Sequence, residues 1–352
     1  MRNILKSLLP VACLTALQSA CSSDADKELN IIPVPNHISQ THGSFHIDND
    51  TRYSLEIPEE YVESLGRVLG DCPAFRAKRL EPDSGKKVIF REVANLPGID
   101  SPEGYVLNAG SDSIVVLSTA YNGLFYGAQT LVQLAEKGDI PAMTVVDQPR
   151  FPYRGFMLDV SRHFRSKEFV KKQIDAMARF KLNRLHLHLT DAAGWRLEIK
   201  KYPRLTTLAA WREFPSWKEW WNNGRKYKEE GGEGAYGGYY TQDDIRELVD
   251  YAAQRCITII PEIEMPSHSE EVLAAYPELS CSQQPYKHSD FCVGNEQTFE
   301  FLENVLTEVM DLFPSEYIHI GGDEAAKNAW RECRLCQQRM NREGLDNVDE
   351  LQ

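Results

Sequence analysis

Basic residues are scarce in this sequence compared with acidic ones. It contains 39 Lys and Arg against 52 Asp and Glu, which gives a formal net charge of -13 at pH 7. Proteins that bind nucleic acid or anionic membrane surfaces need clusters of Lys and Arg against the phosphates. The charge balance therefore argues against both kinds of partner and is compatible with a neutral or cationic substrate.

Long hydrophobic runs are also missing, and the apolar run near the start is short. It covers residues 8–17, follows Arg2 and Lys6, and leads through small residues to Cys21. A stretch of this length cannot span a bilayer. A basic start, a short apolar stretch and small residues are typical of a secretory signal, so we predict that residues 1–20 are a cleaved signal peptide.

The cysteine that follows this segment resembles the lipidation site of bacterial lipoproteins. In that family the residue matching Cys21 is lipidated and becomes the new N-terminus, and residues 21–30 would then be a polar tether. The resemblance implies a protein of the bacterial cell envelope that meets the membrane only through its lipid anchor. Gln18 stands where such signals usually have an aliphatic residue. An ordinary cleaved signal without lipid is therefore the alternative.

Cysteines are few after the signal, and none stands in a complete zinc motif. They are Cys72, Cys256, Cys281, Cys292, Cys333 and Cys336. Export permits disulfides, and Cys281 and Cys292 bracket a polar loop, so we predict a disulfide between them. Cys333 and Cys336 have redox or metal spacing, but no second pair or His-x-x-x-His accompanies them, which favours a local disulfide or two free thiols. We predict no metal and no cofactor.

The chain divides near residues 147–155, where two prolines interrupt the pattern. Residues 31–150 mix short strands and helices and are expected to form a small α+β domain without a catalytic constellation. After residue 151, strands and helices alternate. Apolar runs that are each followed by a helical pattern lie at 155–161, 184–191, 257–266 and 317–324. Four such β-then-α units in a row favour a parallel sheet.

Polar residues at the strand ends indicate that this sheet belongs to a (β/α)8 TIM barrel, whose active site lies at the C-terminal ends of its strands. The predicted fold class is therefore α/β, with a small domain before a barrel. Residues 151–352 hold only about the first four of the eight units that a barrel needs. An open half barrel leaves strand edges and core uncovered. We expect the chain to be part of a longer protein, with two paired half barrels as the alternative.

Polar residues near the strand ends fall into two groups. Those expected to converge on one rim are Arg162, Asp191, His268, Asp323 and Glu324. Those interpreted as interior residues that satisfy one another are Asp159, His186, His188, Glu262, Glu264 and His319. Asp323 and Glu324 follow Gly321 and Gly322, and two glycines permit a bend that directs both acids toward one pocket.

The string HIGGDE at 319–324 resembles the signature of glycoside hydrolase family 20, the β-N-acetylhexosaminidases. Four further blocks resemble that family in order: RGFMLDVSRHF (154–164), LHLTDAAGWRLEIKKYPRLT (187–206), YGGYYTQDDIRELVDYA (236–252) and PEIEMPSH (261–268). The resemblance runs from about residue 31 to residue 352. It implies a small domain before a catalytic barrel, and the release of terminal, non-reducing β-linked GlcNAc or GalNAc from glycans.

The resemblance also implies which residues act. Glu324 would be the general acid at the glycosidic oxygen and then the base that activates water. Asp323 would accept the acetamide N–H and stabilise the positive charge that develops. The substrate's own 2-acetamido oxygen would attack the anomeric carbon, so the configuration is retained without an enzyme nucleophile. Arg162 would bind sugar hydroxyls, and Asp191 and His268 would form a polar relay behind Glu324.

Glu324 must hold its proton near the working pH to act as an acid. A neighbouring carboxylate and partial burial both favour the protonated form. The adjacency of Asp323 is therefore expected to help, because one acid stays charged and keeps the other protonated.

Several features leave alternatives open. The sequence departs from the family pattern at Leu187, Ala192-Ala193, Glu264 and Ser267, residues that bear on the pocket geometry and substrate range. The tryptophans of residues 211–221 either line distal sugar sites or fix a long loop. A metal-dependent barrel hydrolase, suggested by His186 and His188, and a non-catalytic sugar-binding lipoprotein or inactive fragment are the rival function classes.

Overall fold

The computed structural model describes residues 29–48, 51–75 and 86–352. The predicted signal peptide at 1–20, the lipidation site Cys21 and most of the tether at 21–30 lie outside these residues. In the part of the chain that is described, none of the helices combines the length and the hydrophobicity that crossing a bilayer requires.

The first domain is a six-stranded mixed sheet with two helices packed on it. Its strands are β1 (His37–Phe45), β2 (Arg52–Glu56), β3 (Lys87–Glu92), β4 (Tyr105–Ala109), β5 (Ser113–Ser118) and β6 (Ile140–Asp147), and its helices are α1 (Glu59–Asp71) and α2 (Tyr121–Ala135). The strand order is β1-β6-β4-β5-β3-β2, with β2, β3 and β5 parallel to one another. Strands β4 and β5 pair antiparallel and form a hairpin.

Helix α2 is buried on nearly every side because it lies between the sheet and the following domain. Two glycines let it approach the sheet: a Cβ at Gly123 would lie 2.2 Å from the Gly104 carbonyl, and one at Gly127 would lie 2.5 Å from Val116. On another side, Gln133 Nε2 donates to the carbonyl of Arg179 in the second domain. The helix therefore serves as shared core for both domains.

Two ion pairs join the domains at the start of the second sheet. Arg154, directly before the first strand of that sheet, pairs with Glu103 at 2.9 Å. Lys181 is buried, pairs with Asp147 at 3.0 Å and donates to the hydroxyl of Tyr105. Both contacts lie at the opposite end of the strands from the expected rim, so they hold the scaffold on which the rim is built.

The second domain begins as the predicted barrel. Its strands are β7 (Gly155–Asp159), β8 (Arg184–His188), β9 (Trp211–Arg212), β10 (Tyr236–Gly237) and β11 (Thr258–Glu262), and its helices are α3 (Lys167–Arg179), α4 (Arg204–Thr207), α5 (Trp217–Asn222), α6 (Gln242–Ala253), α7 (Glu270–Ala275), α8 (Glu296–Leu312), α9 (Asn328–Glu332) and α10 (Arg334–Glu343). Strands β7, β8 and β11 form a parallel sheet in the order β11-β8-β7. Their last residues, Asp159, His188 and Glu262, are in register.

The prediction of a fourth strand over 317–324 is wrong beyond one residue. His319 forms a parallel bridge with Glu262, and the neighbouring residues are not in a strand. The physical reason is the backbone after His319, where Gly321 and Gly322 have φ of 64° and 102° and so cannot continue an extended strand. Within the described residues, His319 has a strand neighbour only on the Glu262 side.

The three long helices of this domain, which follow strands as the β-then-α pattern predicts, start at capping residues. Ser166 accepts a hydrogen bond from the N–H of Phe169 at the start of α3. Thr241 and Asp244 form a reciprocal capping box at α6. Asn295 accepts from the N–H of Gln297 at α8. Because α3, α6 and α8 contact one another in turn, they form the outer layer expected around a barrel.

The long insertion after β8 is held by two fully buried arginines. Arg196 donates to the carbonyls of Ser161, Ala210 and Gly238, and Arg212 donates to those of Arg162 and Ala193. These bonds fix the insertion to the end of β7 and place Arg162 at its edge.

The tryptophans of the insertion differ in burial. Trp220 is fully buried and its indole N–H donates to the carbonyl of Lys226, which fits a loop-fixing role. Trp221 is 44% exposed and stacks on Trp217 with ring centroids 5.3 Å apart, and a sugar-binding role for these two rings stays a prediction.

The last helices, α9 and α10, pack around a small apolar cluster separate from the main core. Trp330 is fully buried there, and its indole N–H donates to the carbonyl of Phe291. The predicted disulfide between Cys281 and Cys292 is not present, because both thiols are free. Their thiols lie in one cluster with those of Cys333 and Cys336, at the start of α10.

Candidate active site

The predicted rim residues meet around a buried carboxylate at the ends of β7 and β8. Asp191 is 3% exposed. Its Oδ2 lies 2.7 Å from Arg162 Nη2 and 3.3 Å from His188 Nε2, and its Oδ1 lies 3.5 Å from His268 Nδ1. Three cationic or protonatable groups from three segments therefore face one carboxylate.

These contacts decide the charge state of the group. Burial opposes ionisation of Asp191, but its contacts with His188 and His268 and the charge of Arg162 outweigh burial and lower its pKa to about 2. Arg162 also pairs with Asp159 at 2.8 Å, so it is held from two sides. A guanidinium has five N–H donors, which leaves Arg162 with donors for a sugar hydroxyl.

His268 connects Asp191 to the two adjacent acids. Its Nε2 lies 3.8 Å from Asp323 Oδ2 and 3.4 Å from Glu324 Oε2. This nitrogen is buried and makes no hydrogen bond. Both distances are those of an ion pair, and a small movement of either acid would form a hydrogen bond. The nearby carboxylate of Asp191 raises the pKa of His268 to about 9, against the effect of burial. The imidazole is therefore protonated at neutral pH and can hold a charged acid.

The bend predicted at the two glycines is present and has a steric cause. A Cβ at Gly321 would lie 1.8 Å from Glu264 Oε2, so only glycine fits against this buried carboxyl. Beyond the glycines, Glu324 itself has a left-handed φ of 53°. Ser267 donates its hydroxyl to the carbonyl of Asp323, which ties the bend to the loop after β11.

The partial burial expected for Glu324 is not observed. The side chains of Asp323 and Glu324 are 68% and 78% exposed. Both acids lie at the outer edge of the described sheet, where His319 is the last bridged residue and no further strand of the described chain covers them. In this structure the two acids contact the protein through His268.

Glu262 is an interior polar residue, as predicted. Its carboxylate lies 2.7 Å from His186 Nε2 and 2.8 Å from His319 Nδ1, and it also contacts His188 Nδ1. Two of these histidines belong to β8, and the third belongs to the segment before the two glycines. Burial opposes its ionisation, but the histidines outweigh this and lower its pKa. Because these imidazole atoms are already paired with Glu262, the group is better described as a tie between strands than as a metal site.

Glu264 does not fit the prediction of a satisfied interior residue. It is 4% exposed, and its Oε2 has no hydrogen-bond partner. Burial, helped by the charge of Glu262, raises the pKa of Glu264 to about 7. The sequence carried one signal for this: Glu262 and Glu264 share a strand face, and two acids in one buried space do not both ionise easily.

His188 is the residue whose importance was missed. It lies between Asp191 and Glu262 and so joins the rim to the interior group. Burial lowers its pKa, but the two carboxylates outweigh burial and raise it to about 10. The strict alternation of residues 184–191 placed His188 on the inner face, but did not show that it would bridge two acids.

Comparison with known proteins gives matches over both domains. The profile described as glycosyl hydrolase family 20, domain 2, matches residues 28–148, and the one described as glycosyl hydrolase family 20, catalytic domain, matches residues 151–352. A β-hexosaminidase of Porphyromonas gingivalis is 38% identical over 97% of this chain and 46% of its own length. One from Vibrio furnissii is 36% identical over 92% of this chain and 53% of its own length.

Solved structures show the same relationship. The exo-β-N-acetylglucosaminidase of Vibrio harveyi, in complex with N-acetylglucosamine, is 32% identical with a TM-score of 0.78, covering 91% of this chain and 51% of that chain. The β-N-acetylhexosaminidase of Bacteroides fragilis is 34% identical with a TM-score of 0.75, covering 91% and 61%. The chain spans about half the length of the curated relatives it matches. Both of its domains match one family in sequence and in fold, and the chain belongs to glycosyl hydrolase family 20.

Proposed function

We propose that the intact protein hydrolyses terminal, non-reducing N-acetyl-β-D-hexosamine residues of glycans, with retention of configuration and with the substrate's 2-acetamido group as nucleophile. One observation carries the proposal. Asp323 and Glu324 are adjacent, and both carboxylates lie within 3.8 Å of the same imidazole, that of His268. The names of the relatives, β-hexosaminidases, support the same substrate class.

Glu324 and Asp323 are assigned different roles because they lie at different distances from His268. Glu324, nearer to His268, is the general acid at the glycosidic oxygen, and after the leaving group departs it takes a proton from the attacking water. Asp323 stays ionised and accepts the acetamide N–H, which orients the acetamide oxygen toward the anomeric carbon. As positive charge develops on the resulting ring, the same carboxylate stabilises it.

The residues around the two acids set the charge of the site and form no bond with the reacting atoms. Asp191 fixes His268 in its protonated form and contacts Arg162 on its other oxygen. His268 can then balance one negative charge among the two acids without donating a proton to substrate. Arg162, 39% exposed at its side chain, is available to a sugar hydroxyl at the rim.

The sharpest test replaces the nucleophile in the substrate. An aryl 2-acetamido-2-deoxy-β-glucoside and the matching aryl β-glucoside, with a plain 2-hydroxyl, are compared with the intact protein. Because a positioned internal nucleophile has a high effective concentration, we expect kcat/KM for the hydroxyl substrate to be lower by on the order of 10⁴-fold or more. Equal rates would contradict the mechanism. Binding of the acetamido sugar without turnover would instead favour the non-catalytic alternative.

We also propose that the protein is anchored in the bacterial cell envelope by a lipid on Cys21. The basic start, the short apolar run and the small residues before Cys21 support this. The variant Cys21→Ser should move the protein from the membrane fraction to the soluble fraction, whereas the control Cys13→Ala, within the apolar run, should leave it in the membrane. A Cys21→Ser protein that stays in the membrane fraction would contradict a lipid at this position.

A further inference from the structure

Four cysteines from two separate segments of the chain meet in one cluster. Cys281 and Cys292 lie at the two ends of a loop after α7, and Cys333 and Cys336 lie at the start of α10. Their sulfur atoms all lie within 4.8 Å of one another. Cys292 and Cys336 are buried, and Cys281 and Cys333 are partly buried.

The sulfur distances are those of a metal site. Cys281 Sγ lies 3.8 Å from Cys336 Sγ, and Cys292 Sγ lies 3.7 Å from Cys333 Sγ and 3.8 Å from Cys336 Sγ. With zinc–sulfur bonds of about 2.3 Å, the edge of a regular tetrahedron of sulfurs is about 3.8 Å. A disulfide would require the sulfurs to lie about 2.0 Å apart. The four thiols are therefore spaced as ligands around one ion.

The backbone around the cysteines is built to bring the two pairs together. Gly294 lies so close to α10 that a Cβ there would be 2.2 Å from both Leu335 C and Cys336 N. A bridge between Ser280 and Phe291 closes the loop so that Cys281 and Cys292 stand beside each other. Any side chain at position 294 would push this loop away from α10.

Apolar packing around the four cysteines is limited. The apolar cluster around the cysteines is small and separate from the main core. It contains Cys292, Val293, Trp330, Cys336, Met340 and Val348. Two of these buried members are themselves ligands in the proposed site, so a metal would supply folding energy where apolar burial is limited.

We propose that Cys281, Cys292, Cys333 and Cys336 bind one structural zinc ion. Four protein thiolates close the coordination shell and leave no open position for a reacting water, which is the arrangement of structural rather than catalytic zinc. This proposal departs from the sequence-based prediction of no metal. Cys281 and Cys292 are split within their loop, and Cys292 lies 41 residues before Cys333, so no compact zinc motif marks the four ligands.

The site would fix the segment that follows the acids. Cys333 and Cys336 come after Glu324, while Cys281 and Cys292 come after His268, so the ion joins the two segments that carry these residues. Between the ion and the acids, the N–H of Lys327 donates to Asp290 Oδ2 at 3.0 Å and continues the same connection. Loss of the ion should therefore loosen the approach of Glu324 to His268.

Metal analysis of the intact protein, purified without chelators, tests the proposal. We expect about one zinc per chain. Cobalt exchanged into the wild-type protein should give the intense thiolate-to-cobalt charge-transfer absorption and the visible bands of a tetrahedral site. This readout separates the cysteines from the nearby histidines and carboxylates, which give no thiolate band. It also needs no variant to fold.

Variants then assign the ligands. Cys333→Ser and Cys336→Ser should each lose the bound zinc and lower the unfolding temperature, while Cys256→Ser, a free cysteine outside the cluster, should keep it. Absence of stoichiometric metal, with a mass lowered by the hydrogens of two disulfides, would overturn the proposal. Zinc retained in Cys336→Ser would overturn it as well. Neither outcome bears on the proposed hydrolysis, which is measured separately.

Discussion

Glu324→Gln in the intact protein should lower kcat/KM by about 10²–10⁴-fold for a β-N-acetylglucosaminide whose leaving group is a poor one, such as an alkyl alcohol. Glutamine keeps the size of the side chain but cannot give a proton to the departing oxygen. With a strongly activated leaving group, such as a dinitrophenolate, the loss should be much smaller, because that group departs without protonation. The comparison of the two substrates measures the acid role directly.

Asp323→Asn should behave differently with the same pair of substrates. Its charge is needed to orient the acetamide and to stabilise the developing cation, whatever the leaving group. We expect a loss of about 10²–10³-fold for both substrates. The two neighbouring acids, 3.4 and 3.8 Å from His268, are thus distinguished by leaving-group dependence rather than by the size of the loss.

Glu316→Gln is the matched control for both variants. Glu316 is an exposed acid shortly before His319, and its replacement removes one negative charge from the same segment. Its kcat/KM should equal that of the wild type. If Glu324→Gln lost equal activity on both substrates, the acid role would have to be given up. Retention of full activity by both Asp323→Asn and Glu324→Gln would refute the assignment of the site.

The order of strands and helices could be predicted because each long element carries its own signal. The apolar run at 184–191 predicts β8, and the run at 257–266 predicts β11. The fourth strand could not be predicted in the same way. The run that precedes Gly321 is apolar enough for a strand, but a strand also needs a backbone that stays extended and a ladder of several paired residues. His319 has only the Glu262 side in the described sheet.

The residues of the candidate site could be predicted from the sequence, but the contacts between them could not. A motif can name Asp191 and His268 as neighbours of Glu324, and the sheet register then brings them together. It does not say that His188 bridges Asp191 to Glu262, or that Glu264 is left with an unpaired oxygen. These features depend on side-chain distances across three segments, which a single strand pattern does not contain. The four-cysteine cluster was not predicted, because it too depends on distances between side chains of separate segments.

The buried charges form a chain that alternates in sign. Asp191 is negative between the cations of Arg162 and His268, and His188 is positive between Asp191 and Glu262. Burying any one of these groups alone would cost several kcal/mol, and each is tolerated because its neighbours are opposite in charge. A single replacement in the middle of the chain should therefore cost more than the loss of one contact.

Asp191→Asn is the replacement that tests this. It keeps the shape of the side chain but removes the charge that faces Arg162, His188 and His268. Arg162 keeps its pair with Asp159, but the imidazoles of His188 and His268, which are 7% and 18% exposed, lose their shared carboxylate. We therefore expect the free energy of unfolding of the intact protein to fall by about 3–5 kcal/mol. The control is Asp243→Asn, which removes one side of a 2.8 Å pair with Arg246 at a side chain 94% exposed. That change should cost less than about 1 kcal/mol.

The dependence on pH gives a second, independent readout of the same carboxylate. The pKa of Asp191 falls from 3.8 to about 2 on folding. A lowered pKa stabilises the fold above the unfolded value, so this contribution, about 2 kcal/mol, is complete above pH 4 and is lost as the pH falls toward 2. Asp191→Asn lacks it at every pH. Denaturant titrations should therefore show the difference between wild type and variant shrinking between pH 4 and pH 2, and a constant difference would mean that Asp191 acts through packing and not through its charge.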